Sequence, residues 1–190
     1  ELEKLMRPET KVVFVESPAS LSFEVMDIPA LAKVAHKGGA KVIMDNTYGP
    51  LIYKPFENGV DVSINAATKY IGGHSDIMLG LIATTRETYR DIKRSVAELG
   101  CPPGNDDAYL ALRGLRTLSV RLRQHERAGL ALAAWLEKRP EVVRVMHPGL
   151  PSHPQHELFK RDFKGTTGLF GFQLKEFPQE AVDAMLMVCS

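Results

Sequence analysis

The chain has 190 residues, of which 44% are hydrophobic and 25% are charged, and these proportions are typical of a globular protein. Its formal net charge of +1 gives no reason to expect a nucleic-acid or membrane-surface partner. No apolar run reaches the roughly 18 residues of a transmembrane helix, so no membrane span is predicted.

The two cysteines and the chain ends bear on where the protein works. The first residues are charged and lack the apolar segment of a secretory signal. Cys101 and Cys189 lie far apart and indicate neither a disulfide framework nor a metal site. We therefore expect two reduced thiols in a cytoplasmic protein. An unfinished helical pattern at the C-terminal end predicts that the sequence is a segment of a longer chain.

The first half of the chain alternates short apolar runs with a helical pattern. Asp27 is a good N-cap residue, Pro29 fits a first helical turn, and Gly38-Gly39 is a helix end. The apolar runs show little clean alternation, which is typical of strands buried on both faces. This arrangement predicts the α/β class with a mainly parallel sheet. The predicted strands are 11–15, 41–44, 60–64 and 79–84.

The second half is predominantly helical. One amphipathic helix is predicted from Arg86 to Gly100, and the prolines of CPPGNDD must interrupt it. A single long helix is predicted over 107–138, followed by strands at 142–146 and 168–174 and a last helix opened by Pro178. Five arginines on the long helix predict a solvated or interface face: Arg113, Arg116, Arg121, Arg123 and Arg127.

Polar residues follow three of the predicted strands, in the segments 16–18, 45–47 and 67–69. Ligands of open α/β sheets collect at the carboxyl ends of the strands, so Asp45 and Lys69 are a candidate functional pair. Taken alone, an Asp after a strand is typical of a turn, and a lone loop Lys is typical of a solvated side chain. The small neighbours of Lys69, such as Gly72 and Gly73, would let a flat ligand approach closely.

Other common catalytic motifs are absent from the sequence. It contains no Walker A pattern, no GxGxxG, no nucleophile elbow and no HExxH. His147, His153 and His156 share the proline-rich segment HPGLPSHPQH, but their spacing does not match a zinc site. We therefore predict no metal ion.

Two segments carry a resemblance to a known family. DNTYGP at 45–50 and GVDVSINAATKYIGGHSD at 59–76 resemble the Cys/Met-metabolism family of pyridoxal-phosphate enzymes. ESPASLSFEVMDIPA at 16–30 and the segment 113–136 look most like the bacterial cystathionine β-lyase branch of this family. The γ-enzymes usually carry Asn-Pro where this chain has Ser20-Leu21. The resemblance spans nearly the whole chain.

The resemblance implies an architecture. The expected fold is the aspartate-aminotransferase-like type I fold, a three-layer α/β/α arrangement with a mainly parallel sheet and a smaller α+β C-terminal domain. Residues 1–115 would be part of the large cofactor-binding domain. Residues 116–190 would be a linking helix and the first part of the C-terminal domain. The N- and C-terminal portions of the family chain would be absent.

The resemblance also implies roles for individual residues. Lys69 takes the position of the Schiff-base lysine, which is also the catalytic base, and the cofactor is pyridoxal 5'-phosphate. Asp45 takes the position of the acid that pairs with the pyridine nitrogen. Thr68 takes the position of a hydroxyl that binds the phosphate. A second hydroxyl residue that the family often has two positions before this threonine is replaced by Ala66.

The implied activity is α,β-elimination of cystathionine to homocysteine, pyruvate and ammonia, as a step of methionine biosynthesis. Related cysteine S-conjugates are expected substrates of the same branch. The expected assembly is a homotetramer, a dimer of dimers with shared sites. Two alternatives stay open: a γ-lyase or γ-synthase of the same family, and a non-catalytic fragment that keeps the fold. A segment of this length alone is expected to be inactive.

Overall fold

The structure, a computed structural model, describes residues 1–188, so Cys189 lies outside the described residues, whereas Cys101 is a free, exposed thiol. The described part contains both strands and helices. The strands are β1 Val12–Glu16, β2 Lys41–Asp45, β3 Val62–Ala66, β4 Gly80–Thr84, β5 Val142–Met146 and β6 Gly171–Leu174. The helices are α1 Leu2–Leu5, α2 Ile28–Lys37, α3 Arg86–Glu98, α4 Asn105–Leu115, α5 Leu118–Leu136, α6 His156–Asp162 and α7 Gln179–Val188, with a short 3-10 turn at Phe56–Asn58.

The first four strands form one sheet in the order β1-β2-β3-β4. β1, β2 and β3 run parallel, and β4 pairs antiparallel with β3. The predicted α/β class with a mainly parallel sheet is therefore confirmed. Glu16 pairs with Asp45, and Asp45 pairs with Ile64, so the carboxyl ends of the three parallel strands lie side by side.

Helix α2 covers one face of this sheet and begins and ends where the sequence predicts. The Asp27 carboxylate accepts the Ala30 amide N–H at 3.1 Å, which caps the first turn. Ile28, Ala32 and Ala35 are buried against the sheet. The chain leaves the helix at Gly38-Gly39, as predicted.

Burial on both faces of every strand was also predicted, and this prediction is wrong for the two outer strands. Val12 and Phe14 of β1 and Leu81 and Ile82 of β4 are between 44% and 62% exposed. The core side chains of β1 and β2 lie on the face under α2, where Val42 and Met44 are fully buried. Apolar residues therefore line both faces of the outer strands, but residues 1–188 leave one face of β1 and part of both faces of β4 exposed.

The single long helix predicted over 107–138 is wrong, because the segment forms two helices. α4 ends at Leu115 and α5 begins at Leu118. The Thr117 hydroxyl donates to the Gly114 carbonyl at 3.2 Å, and the Thr117 backbone leaves the helical region with φ of −107° and ψ of 1°. A hydroxyl that bonds to the preceding turn competes with the helical ladder, and no proline or glycine is needed for this break.

The second half of the chain adds a two-stranded antiparallel sheet of β5 and β6. Ala133 of α5 is fully buried and belongs to the same hydrophobic cluster as Val145 of β5 and Leu150. The two halves share a core, because the stacked rings of Phe159 and Phe163 lie against Tyr48 and Tyr53 from the first half. This aromatic cluster fixes the loop that follows β2, where the candidate site begins.

Within residues 1–188, no helix combines the length and apolar character that crossing a bilayer requires.

Candidate active site

The turn after β2 joins the ends of two strands. The Thr47 amide donates to the Asp45 carboxylate at 2.8 Å, and the Thr47 hydroxyl accepts the Ala66 amide N–H at 2.7 Å. The Asn46 amide adds a bond to the Ile64 carbonyl at 2.7 Å. Asp45, the last residue of β2, is therefore held beside Ala66, the last residue of β3. Ala66 precedes Lys69 by three residues. The sequence-predicted pair lies at one edge of the sheet.

Lys69 lies in a tight turn that continues from β3. Its amide donates to the Ala66 carbonyl at 2.9 Å, and its carbonyl accepts the Gly73 amide N–H at 2.8 Å. Gly73 has a φ of +78°, a left-handed conformation that glycine adopts without strain. The side chain of Lys69 is exposed, and its Nζ forms no hydrogen bond or ion pair with residues 1–188. The described residues therefore leave this amine unoccupied.

Thr68 connects the lysine turn to the start of β4. Its hydroxyl oxygen accepts the Leu79 amide N–H at 2.9 Å, and its own amide donates to the Leu79 carbonyl at 3.2 Å. The hydroxyl proton reaches the Leu79 carbonyl only at 3.4 Å, a long and weak contact. That proton remains available to a stronger acceptor such as a phosphate oxygen.

Ala66 supplies no hydroxyl, and three of the amides near it already have acceptors. The amides of Ala66, Thr68 and Lys69 already donate to Thr47, Leu79 and Ala66 respectively. A ligand phosphate in this turn would therefore depend on the Thr68 hydroxyl and on groups other than these three amides.

Arg121 was predicted to lie on a solvated or interface face, and this prediction is wrong. The side chain is half-buried, and its guanidinium donates to the carbonyls of Tyr70 at 2.7 Å and Gly114 at 2.8 Å. A third carbonyl, that of Ile71, lies at 3.3 Å. Burial lowers the pKa of the Arg121 guanidinium. The other four arginines of the run are exposed, so a count of charges could not have singled this one out.

The segment after β1 lies beside the same sheet edge. The Ser20 hydroxyl donates to the Glu16 carboxylate at 2.7 Å, which closes a compact turn. Leu21 is 88% exposed and has a φ of +66°. A proline ring fixes φ near −65°, so this turn conformation is incompatible with proline at position 21.

Each of the three histidines of the proline-rich segment has a hydrogen-bond partner within that segment. His147 is fully buried, and its Nδ1 accepts the Gly149 amide N–H at 3.0 Å. His153 accepts the Gln155 amide N–H at 3.2 Å, and the His156 Nδ1 lies 3.0 Å from the Pro148 carbonyl. Burial lowers the pKa of both His147 and His153. Among the described residues, no group of three or more His, Cys, Asp or Glu side chains could hold a metal ion.

Comparison with known proteins agrees with the resemblance seen in the sequence. The family described as Cys/Met metabolism PLP-dependent enzymes matches residues 1–189. The chain belongs to this family. The cofactor of the Cys/Met-metabolism family is pyridoxal phosphate.

Similar proteins are known from several organisms. A putative cystathionine β-lyase of Rhizobium johnstonii is 50% identical over 91% of this chain and 44% of its own length. The cystathionine β-lyase MetC of Escherichia coli is 43% identical over 93% of this chain and 45% of its own length. The human cystathionine γ-lyase is also 43% identical, over 95% of this chain and 45% of its own length, and a racemase name occurs among the relatives too. The chain spans about half the length of these relatives.

The residues present fit the cofactor of the Cys/Met-metabolism family in their chemistry. Lys69 offers an unpaired primary amine, which can bind an aldehyde covalently. One carboxylate oxygen of Asp45 accepts the Thr47 amide, and the other has no hydrogen-bond partner within 1–188, so it can face a protonated ring nitrogen. Thr68 retains a hydroxyl proton for a phosphate oxygen.

Proposed function

We propose that the protein to which this chain belongs is a pyridoxal-phosphate-dependent carbon–sulfur lyase that cleaves cystathionine by α,β-elimination. The products are homocysteine, pyruvate and ammonia, and one water molecule is consumed. The β-lyase names among the relatives support this reaction. Pyridoxal phosphate would be held by Lys69, Asp45 and Thr68, with Lys69 as the catalytic base.

One observation carries the proposal: a free lysine amine and a carboxylate lie at the same edge of the sheet. The Thr47–Ala66 hydrogen bond of 2.7 Å joins the Asp45 turn to the strand that leads into Lys69. Ligands of parallel sheets bind at this edge. If Lys69 were only a solvated lysine and Asp45 only a turn residue, no hydrogen bond between their two segments would be needed.

When bound, pyridoxal phosphate supplies an electron sink for the carbanion formed at the substrate Cα. The amino group of the substrate would first take the place of Lys69, and the released Lys69 amine would take the proton from Cα. The bond from Cβ to sulfur would break after that. The electron pair of the broken bond leaves with sulfur, and the Lys69 Nζ returns the proton to the thiolate. Asp45 holds a positive charge at the ring nitrogen, because opposite charges a few ångströms apart stabilise each other. Water then converts the three-carbon remainder to pyruvate and ammonia.

A second candidate is a γ-lyase or γ-synthase of the same family, since the human cystathionine γ-lyase is 43% identical to this chain, as the Escherichia coli β-lyase is. The Ser20-Leu21 turn favours the β-lyase. Its left-handed Leu21 excludes the proline that is usual for the γ-enzymes at this position. A third candidate, a protein that keeps the fold without catalysis, is favoured by no feature of the site described above.

The experiment uses the full-length enzyme, its cofactor and cystathionine. Pyruvate as the keto-acid product supports β-elimination, whereas 2-oxobutyrate would show γ-elimination and refute the proposal. Lys69→Ala is expected to abolish turnover and covalent attachment of the cofactor. Lys33→Ala removes an exposed lysine of α2 and serves as the matched control. If Lys69→Ala binds the cofactor covalently as the parent does, the assignment of Lys69 is wrong.

The setting of this reaction is also proposed. We infer a cytoplasmic homo-oligomer, a dimer of dimers, that acts in methionine biosynthesis and accepts related cysteine S-conjugates. In the full protein, residues 1–115 would be part of the cofactor-binding domain, and residues 116–190 would link it to the C-terminal domain. Size-exclusion chromatography with light scattering on the full-length enzyme would test the assembly.

A further inference from the structure

The turn that carries Lys69 ends with backbone carbonyls that the turn itself leaves free. The amides of Gly72 and Gly73 donate back to Ala67 at 2.7 Å and Lys69 at 2.8 Å, as in the last turn of a helix. The carbonyls of Tyr70 and Ile71, which follow Lys69 directly, are then left without partners in this turn. Such end carbonyls need a donor from elsewhere.

Arg121 of α5 provides that donor from 50 residues away in the sequence. Its Nη1 donates to the Tyr70 carbonyl at 2.7 Å, and its Nη2 lies 3.3 Å from the Ile71 carbonyl. The same guanidinium bonds to the Gly114 carbonyl at 2.8 Å, and its Nε donates to the Thr117 hydroxyl at 3.1 Å. All of these partners are neutral oxygens, so this arginine forms a fixed backbone bridge rather than an ion pair.

Two glycines leave room for this bridge. A Cβ atom at Gly73 would overlap the guanidinium of Arg121. A Cβ atom at Gly114 would overlap the carbonyl oxygens of Ile71 and Gly72. The end of α4 and the lysine turn are therefore in close backbone contact, and the Arg121 side chain from the first turn of α5 bonds to both.

The side chain next to Lys69 is held by the same helix. The ring of Tyr70 packs on the ring of His125, one turn further along α5, with centroids 5.9 Å apart. Burial raises the pKa of the Tyr70 hydroxyl. The backbone and the side chain of the residue after Lys69 are thus both fixed by α5, whereas the Lys69 side chain itself is free.

We propose that Arg121 is a positioning residue that fixes the direction of the Lys69 side chain by holding the carbonyls of Tyr70 and Ile71. This inference rests on the proposed function of Lys69. Arg121 itself touches neither substrate nor cofactor in this role. Its planar fork holds carbonyls from two segments at once, which a lysine ammonium on a flexible stem cannot reproduce.

The first test measures the bridge without any activity. In full-length protein freed of cofactor, hydrogen exchange of the segment 70–74 is compared among the parent, Arg121→Ala, Arg121→Lys and Arg123→Ala. Arg123 is an exposed arginine on the same helix and controls for the loss of charge. In Arg121→Ala we expect exchange to be about tenfold faster or more, which corresponds to a loss of roughly 1.4 kcal/mol or more in the free energy of local opening. In Arg123→Ala we expect no change. Equal exchange in both alanine variants would overturn the bridge.

The second test measures positioning of the amine. Cofactor added to each apoenzyme is trapped on Lys69 by borohydride, and the modified peptide is quantified against time. Arg121→Ala is expected to attach the cofactor more slowly and to lose about 10- to 100-fold in kcat with little change in KM, because small displacements of a reacting group are costly. Arg121→Lys should fall between parent and alanine, and Arg123→Ala should match the parent.

The outcomes separate the two proposals. Attachment rates and kcat in Arg121→Ala equal to those of Arg123→Ala would overturn the positioning role, even if exchange accelerates. If the parent enzyme does not attach the cofactor at Lys69, the proposed function fails, and the exchange comparison still decides whether Arg121 holds the lysine turn.

Discussion

Replacing Thr47 with valine would break the link between the Asp45 turn and the strand before Lys69. The Thr47 hydroxyl accepts the Ala66 amide N–H at 2.7 Å. Valine has nearly the same shape, with a methyl group in place of the hydroxyl, so the substitution opens no cavity. The bond from the Thr47 amide to Asp45 uses the backbone and survives the change. The loss of one acceptor for one amide is therefore the main effect.

The magnitude follows from the position of that amide. A buried donor left without a partner costs about 1–3 kcal/mol. Ala66 is only half-buried, so water can reach the amide in part, and about 1–2 kcal/mol is expected. Because 1.4 kcal/mol corresponds to a factor of ten, hydrogen exchange at the Ala66 amide should accelerate about 5- to 30-fold.

The assay is amide hydrogen exchange on the full-length protein at fixed pH and temperature. Thr47→Ser keeps a hydroxyl at the same place and is the matched control, which should stay close to the parent. Exchange of Ala66 in Thr47→Val as slow as in the parent would refute the reasoning. So would equal acceleration in both variants, because the hydroxyl would then not be the cause.

Two further predictions concern charge. Asp45→Asn should leave the fold intact and raise the cofactor dissociation constant roughly 10- to 150-fold, because a hydrogen bond to a charged group contributes about 1.5–3 kcal/mol. A fluorescence titration measures this constant. Unchanged affinity would contradict the pairing of Asp45 with the ring nitrogen. Burial lowers the pKa of His147, so below the ordinary value of about 6.5 the unfolded chain binds a proton that the folded chain does not. The free energy of unfolding should therefore fall as the pH drops through that value and stay level above it. His147→Gln should flatten this decline in urea titrations, and an equally steep decline would show that other groups cause it.

Much of the fold could be predicted because its signals are local. The Asp27 cap, the Gly38-Gly39 end and the strand β5 are each specified by adjacent residues, and they are found as predicted. The ends of the other strands differ from the predicted ends by a residue or more, since strand ends depend on partners that are distant in sequence. The break at Thr117 was missed because a threonine inside a helical pattern carries no local stop signal until its hydroxyl bonds backwards.

The site divides in the same way. Lys69 and Asp45 could be chosen because polar residues after apolar runs mark the carboxyl edge of a parallel sheet. Arg121 could not, because its partners are backbone carbonyls, and every residue of the chain carries the same group. The sequence shows that an arginine is present, but only the packing of α5 on the lysine turn shows which arginine is buried there.

The aromatic cluster of the shared core has a consequence for the order of folding during synthesis. Tyr48 and Tyr53 follow β2, whereas Phe159 and Phe163, which cover them, leave the ribosome more than 100 residues later. At about 5–20 residues per second, the loop beside Asp45 stays uncovered for roughly 5–20 seconds. During that time the nascent sheet exposes two tyrosines that the folded chain buries, so this stretch of translation is open to aggregation or chaperone capture through them.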